Sequence, residues 1–395
     1  MNCVEPSCRS PRLVAATTCN NVSVLDADFI VIGGGIAGAS AAYELSAMGQ
    51  VILLERESAF DYHTTGRSAA VFTESFHRGV HRALIRSSRP FLEHPPEGFV
   101  DSPVLSPLSL LYVGRQEQRD ALEGIISHAD DIELERVEGS DLQGVCPVLA
   151  EEIVLGALEP GAREFDVHAL HMAFLRGMRQ RGGRSILQTG VDSLTWDGKA
   201  WHVQAGDTTT SAPVVVNAAG AWGDEIAVAA ELPRLGLTAY RRTAFVFSAP
   251  EGYNVSTWPM VRDLAEQYYF RPEGTQLLAS PQDQTPMRPH DVRHEEIDVA
   301  LGIERIEAAT TMQIRHVRRA WAGLRTFAPD HLPVAGFDPD HPGFFWLVGQ
   351  GGNGIQTAST LARVTAGLIT EGAIPAELLD AGVDEAALAP ARFRD

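Results

Sequence analysis

The sequence predicts a mixed α/β fold, α+β over its whole length. Three observations carry that prediction. Near residue 28 a short apolar strand, a glycine turn and a small-residue helix lead into a second apolar strand. Apolar strands that end in small or glycine-rich residues recur at 213–220 and 344–354. Between them, 241–280 alternates short strand-like runs with turns, the habit of an antiparallel sheet. Strand–turn–helix segments at both ends and in the middle make the two units interleaved rather than consecutive.

Taken in order, Asp28-Phe29-Ile30-Val31-Ile32 is the first strand, and 39–48 is a helix closed by Gly49-Gln50. Val51-Ile52-Leu53-Leu54-Glu55 completes a Rossmann-like βαβ unit of about 30 residues. Gly33-x-Gly35-x-x-Gly38 fills its turn. Gly33 permits the tight bend, Gly35 lets a pyrophosphate reach the backbone, and Gly38 lets helix and strand pack closely. Ile36 and Ala37 begin the helix whose N-terminus faces the anion. Glu55 lies 17 residues after Gly38 (55 − 38), where a carboxylate accepts from a ribose hydroxyl. Arg56 beside it keeps NADP in play.

Further along, 117–129 reads as an exposed helix and 167–181 as an amphipathic one. A meander spans 185–205, with its turn at Asp197-Gly198. A buried strand at 213–217 ends in Ala218-Ala219-Gly220. Strand runs fall at 242–248, 258–262, 267–271 and 276–280, and 292–311 reads as a polar amphipathic helix. A strand at 344–348, a glycine-rich turn at 349–354 and a helix at 355–370 follow.

The 395 residues carry a formal charge of −19, from 51 acidic against 32 basic side chains. That balance argues against a nucleic-acid surface, which needs clustered positive charge. Lys199 is the single lysine and sits at a hairpin turn, so 31 basic residues (32 − 1) are arginine. Schiff-base and Walker-type lysine chemistry are thereby excluded. Anions fall to arginine, backbone amides and helix N-termini. No run of about 18 apolar residues suggests a membrane span. Residues 1–27 hold Cys3, Cys8 and Cys19 without an apolar signal region or a CxxC spacing. We expect 1–27 to be a disordered extension with no metal, and Cys146 to be a structural thiol. We expect a cytoplasmic protein with at most peripheral membrane association.

Three more stretches turn the nucleotide reading towards FAD. His63-Thr64-Thr65-Gly66-Arg67-Ser68-Ala69-Ala70 follows Glu55, VNAAGAW occupies 216–222, and GQGGNGIQ occupies 349–356. A molecule as long as FAD needs several such close backbone approaches.

The ordered set VIGGGIAGAS, LLERE, HTTGRSAA, VNAAGAW, WAGLRTFAPD and FFWLVGQGGNGIQ resembles the D-amino acid oxidase superfamily of FAD-dependent oxidoreductases, over about 28–390. Within it the chain is most similar to bacterial D-arginine dehydrogenases. They share Pro95-Pro96 with Gly98-Phe99, Tyr240-Arg241-Arg242-x-Ala244-Phe245, Trp258-Pro259-Met260 and Leu388-x-Pro390. The resemblance implies an FAD-binding domain of the glutathione reductase type 2 kind from 28–80, 150–235 and 320–395. It implies a substrate-binding domain from 81–149 and 236–319. The FAD is expected to be non-covalent, since the C-terminal glycine stretch lacks cysteine and Val71 has no histidine beside it. Glu55 would meet the adenosine ribose and Val191 the adenine. Thr64, Thr65, Gly66, Arg67, Ser68, Ala69 and Ala70 would line the centre of FAD and its ring, with Ala218, Ala219, Gly220, Trp222 and Gly323 nearby. Gly352, Asn353, Gly354, Ile355 and Gln356 would face the flavin's pyrimidine end, where a helix N-terminus stabilises negative charge.

For the reaction, the resemblance implies hydride transfer from the Cα of a D-amino acid to flavin N5. The imino acid then hydrolyses to a 2-oxo acid and ammonia. An N-substituted amino acid or a 2-hydroxy acid is the alternative substrate. An NAD(P)-dependent reductase and a non-catalytic flavoprotein are the readings from other classes. Arg325 matches the family's carboxylate-binding arginine, Arg242 a second arginine and Tyr269 a hydroxyl beside the carboxylate. Thr73, Phe76, Leu110, Met260, Arg262, Gly352 and Gln356 would surround the substrate. No protein base is named, and His63 and His331 are expected to be structural or exposed. Leu110 stands where the relative places an acid for the substrate guanidinium, and Val71 and Phe76 replace a histidine and a tyrosine. A buried cation without its partner costs about 3–5 kcal/mol, so D-Arg is not the expected substrate. Met260 and Arg262 share one strand face by the period of two, which lets Arg262 take an acidic side chain if it points inward. Oxygen or a quinone is the expected electron acceptor, with a lean to quinone because no lysine stands ready to activate oxygen.

Overall fold

Segments with no polar face need cover on both sides, and four of them build the central layer. The computed structural model describes residues 24–129 and 131–394, so Cys3, Cys8 and Cys19 lie outside it. Its central six-stranded sheet runs in the order Arg184–Ile186, Val51–Leu54, Phe29–Ile32, Val214–Asn217, Phe344–Val348, Val334–Phe337. The first five strands are parallel and the last is antiparallel. Helices Ile36–Leu45, Gly79–Glu93, Val167–Gln180 and Gly354–Thr370 share one apolar core with one face of it. A four-stranded sheet and helix Gly223–Ala229 cover the other. Gly354–Thr370 is buried almost all round, and most of its threonines bond carbonyls one turn back, while Thr360 bonds Ser88 at 2.7 Å. The Thr357 and Thr365 hydroxyls donate to the carbonyls of Asn353 and Leu361, at 3.0 and 2.8 Å.

A nine-stranded sheet forms the second layer, centred on the long antiparallel pair Thr238–Ser248 and Val317–Phe327. Strand alternation sorts its arginines. Arg241 turns to one face, where Asp283, Glu295 and Asp298 surround it. Arg242 turns to the other, towards the parallel sheet. Helix Glu296–Ala309 packs on the Arg241 side, so the Arg242 side is left to form the wall of a site.

Several expectations shift. Helix Ile36–Leu45 starts directly at the glycine turn rather than at 39. Arg184–Ile186 leaves the expected meander and joins the parallel sheet beside Val51–Leu54, because that edge still needs a partner. Val24–Asp26, placed by sequence in a disordered extension, pairs with Thr209, Thr210 and Ser211. Leu155–Glu159, assigned by sequence to the FAD-binding part, pairs with Leu110–Gly114 in the nine-stranded sheet. Helix Gly79–Glu93 had no counterpart in the sequence reading; Pro90 inside its last turn breaks the usual signal. Cys146 is buried and unbridged, and burial pushes its thiol up to about 12, as befits a structural residue. No helix among the described residues is long and apolar enough to cross a membrane.

Candidate functional site

Parallel strands end where the two layers meet, and a cavity of about 550 Å³ opens there. Ligand sites of open α/β sheets fall at this end of the strands. One end of the cavity holds Glu55 and Val191, the other Arg242, Tyr269 and Arg325.

At the first end, backbone geometry explains the glycines. Gly33 has φ +104°, and a Cβ on it would run into the Ala218 carbonyl. A Cβ on Gly38 would strike the Gly33 carbonyl oxygen, so only glycine lets the helix start this close to the strand. The Ile36–Leu45 helix has glycine as its N-cap and no acid in its first turn, leaving the amides beyond Ile36 at an N-terminus suited to an anion. Glu55 accepts from the amides of Gly34 at 2.8 Å and Glu57 at 2.9 Å, and burial raises its pKa. A carboxylate has about four acceptor positions, so both oxygens keep capacity for a ribose hydroxyl. Thr65 Oγ1 accepts from the Ile36 amide at 3.0 Å, and Thr64 donates to the Leu324 carbonyl at 2.7 Å. These bonds hold the 63–70 segment between the two layers. Arg67 clamps it further, donating to Val292, Ala322 and Asp291 at 2.9, 3.2 and 2.5 Å. Its guanidinium is thereby committed to the chain itself. Trp222 carries His63 at 4.6 Å and Arg56 at 5.1 Å on its ring, forming a flat wall.

Most of the expected cofactor residues converge on the cavity. Gly33, Gly35, Ile36, Ala37, Glu55 and Arg56 line it, as do Thr64, Thr65, Arg67, Ser68 and Ala69. So do Val191, Ala218, Ala219, Gly220, Trp222, Gly323, Gly352, Gly354 and Ile355. Five sit behind the wall. Gly38 serves helix–strand packing, and Gly66 closes a turn against Asp61. Ala70 packs on the core, and Asn353 is the N-cap of Gly354–Thr370. Gln356 faces away from the cavity, its Oε1 accepting from the Thr73 amide at 2.9 Å. The sequence reading missed Phe60, Thr189, Gly190 and Gln350, all on the wall. It also set His63 aside, although that ring lines the cavity. His331 is exposed, in line with expectation.

At the second end, Arg242 and Arg325 lie on adjacent strands, Arg242 opposite Gly323 and Tyr240 opposite Arg325. Arg242 is 8% exposed; its Nε donates to the Asp283 carbonyl at 2.8 Å, and its Nη1 is buried without a partner. Burial, then the neighbouring Arg325, pushes its pKa down to about 9. Burial also pulls Arg325 down, opposed by Tyr269. Two guanidiniums this uncomfortable mark a place for an anion. Gly352 gives Arg325 its room, since a Cβ there would lie 3.2 Å from Nη1.

The remaining expected substrate residues lie off this wall. Thr73 Oγ1 donates to the buried Glu159 at 2.6 Å, and Ser75 donates to the same carboxylate. Leu110 and Met260 are buried partners in an apolar cluster with Val71 and Tyr269. Phe76 and Arg262 line a side cavity of about 150 Å³, with the guanidinium 3.6 Å above the ring. His77 went unnoticed in the sequence. Its ring stacks on His81 at 5.4 Å, and burial, then His81 and Arg262, push its pKa to about 3. Only the spacing of 77 and 81, one helical turn, hinted at the pair. No group of three potential metal ligands occurs among the described residues.

An anion-ready helix end after the first strand, a carboxylate with spare acceptor positions after the second and a cavity between two sheets fit FAD. They define the class as a flavin-dependent oxidoreductase. The family model for FAD dependent oxidoreductases (DAO) matches residues 28–368, and the chain belongs to this family. It is 27% identical to the mitochondrial dimethylglycine dehydrogenase of Rattus norvegicus over 386 residues, 90% of this chain and 44% of that one. The chain thus spans less than half the length of this curated relative. Its fold matches L-proline dehydrogenase from P. horikoshii with a TM-score of 0.78, 18% identity, and 94% and 98% of the two chains covered. Glycine oxidase from Geobacillus kaustophilus matches with a TM-score of 0.78, 20% identity, and 92% and 99% covered.

Proposed function

We propose that the protein oxidises a carbon–nitrogen bond of an amino acid, with an N-substituted amino acid ahead of a simple D-amino acid. The observation that carries this is the Arg242–Arg325 pair, two buried guanidiniums on the cavity wall beside Tyr269. The D-amino acid reading came from resemblance alone. The relative matched over 90% of the chain is named for dimethylglycine, and this favours the N-substituted class. Leu110 sits in an apolar cluster, so a substrate guanidinium would find no acid from that position.

In this reading Arg325 and Arg242 grip the carboxylate through charge-assisted bonds, and the Tyr269 hydroxyl orients it. FAD, when bound, supplies the two-electron acceptor for the hydride. The substrate loses that hydride from a carbon beside nitrogen and the proton from nitrogen, and a C=N bond forms. Water then adds and splits the bond, giving a carbonyl compound and the shorter amine. His77 stays neutral near pH 7, so it adds no charge against the arginines. Oxygen or a quinone takes the electrons onward.

Anaerobic addition of amines to the purified flavoprotein tests this. N-methyl and N,N-dimethyl amino acids are expected to bleach the flavin absorbance, and D-Arg to do so poorly. Bleaching by no amine at all, with 2-hydroxy acids active instead, would overturn the reading.

A further inference from the structure

Arg262 is left over by the proposed function, and its surroundings say what it is for. It is the direct cross-strand partner of Tyr269, so the two side chains stand on the same face of the nine-stranded sheet. Tyr269 lines the main cavity, and Arg262 lines the side cavity of about 150 Å³ next to it. The guanidinium is positioned by the Phe76 ring 3.6 Å beneath it, while its Nε is buried with no partner. Its one ion-pair partner among the described residues is Glu266, at 3.3 Å and with a side chain 53% exposed. Its charge is felt by both Arg242 and Arg325, and it is felt by His77.

Charge arithmetic at this end is lopsided. Three guanidiniums, Arg242, Arg262 and Arg325, share one sheet face. The acid Asp283 spends its carboxylate on the Thr243 amide and hydroxyl and on Arg241, on the opposite face. One monocarboxylate serves Arg325 and Arg242 together, and Arg262 is left with Glu266, an exposed partner whose pairing water weakens.

We propose, resting on the amine-oxidation reading above, that the substrate is an amino dicarboxylate. One carboxylate lies on Arg325 and Arg242, and the second reaches Arg262 over Phe76 and displaces Glu266 towards solvent. Two kinds of compound share this chemistry: a secondary amine with a carboxylate on each arm, and an acidic D-amino acid.

The test compares each dicarboxylate with its monoamide, using iminodiacetate for the first kind and D-glutamate for the second. Flavin reduction is followed in the wild-type holoenzyme and in Arg262→Gln. At least one dicarboxylate is expected to exceed its monoamide by roughly 100-fold in kcat/KM, the worth of a charge-assisted grip. In Arg262→Gln that ratio is expected to fall to near one. Flavin content and melting temperature of the variant are measured alongside, and Arg262→Lys is expected to restore part of the ratio. Which of the two compounds responds identifies the source. A wild-type ratio near one, or a ratio untouched by Arg262→Gln, overturns the inference while amine oxidation stands. Silence with every amine removes both.

Discussion

Arg325 shows how a single residue links sequence to chemistry. Its partner strand and its glycine neighbour at 352 both serve one guanidinium facing a cavity. Replacing it by methionine removes two charge-assisted bonds worth about 1.5–3 kcal/mol each. We expect kcat/KM to fall by at least ~100-fold with flavin content intact; an unchanged kcat/KM would show that the carboxylate binds elsewhere. His77 makes a second residue-scale prediction. Its folded pKa, about 3, lies below the ordinary 6.5, so the unfolded chain binds a proton that the folded chain resists. Its neutral burial therefore costs nothing above pH 6.5 and lowers stability progressively as pH falls towards 3. Burial pushes His81 and His171 the same way. Urea midpoints of His77→Gln are expected to decline less steeply than wild type between pH 6.5 and 4, and equal slopes would contradict this.

At the scale of elements, the glycine turn and the 73–76 segment behave differently. Gly38→Ala places a methyl against the Gly33 carbonyl, and the overpacking is expected to cost about 1–3 kcal/mol and to strip the protein of flavin. A variant that stays fully yellow and melts as wild type would refute that. Glu159 gathers Thr73, Ser75 and the Glu74 amide. Glu159→Leu removes the acceptor of the Thr73 hydroxyl and the Glu74 amide, at about 1–3 kcal/mol for a buried donor, while Ser75 keeps Tyr112 at 2.8 Å. A large drop in melting temperature is expected, along with weaker placing of Phe76; a drop of under a degree would show the network to be dispensable. The contrast explains what was legible. Gly33, Gly35, Gly38 and Glu55 could be read directly, because each residue type is dictated by local backbone within one βαβ unit. Gln356 and Thr73 were placed in the site by resemblance, yet they bond each other across 283 residues of sequence. Side-chain direction at such a junction depends on the start of helix Gly354–Thr370 meeting the end of strand Val71–Phe72, and neither alone encodes it. Arg262 was legible as to face, through the period of two, but not as to cavity, since Phe76 comes from a turn far away in the sequence. His77 had no local signature, because its surroundings are assembled by tertiary packing.

Across the whole molecule, two sheets with different strand logic line one cavity, and neither makes it alone. The parallel sheet brings the amide-rich turns, and the antiparallel sheet brings the arginines. The net charge of −19 plays no part at this junction, whose substrate end carries a local excess of cations. In the proposed function, such a division gives the nucleotide to backbone and the substrate to guanidinium. The central claim is that an amine-bearing carboxylate reduces the bound flavin. The most direct measurement is the flavin absorbance of the purified protein under anaerobic titration with N-substituted and D-amino acids. The account expects a yellow protein whose absorbance is bleached to completion by at least one of these amines, and which Arg325→Met renders largely unresponsive. A yellow protein that no amine bleaches, or an Arg325→Met variant bleached as readily as wild type, would contradict it.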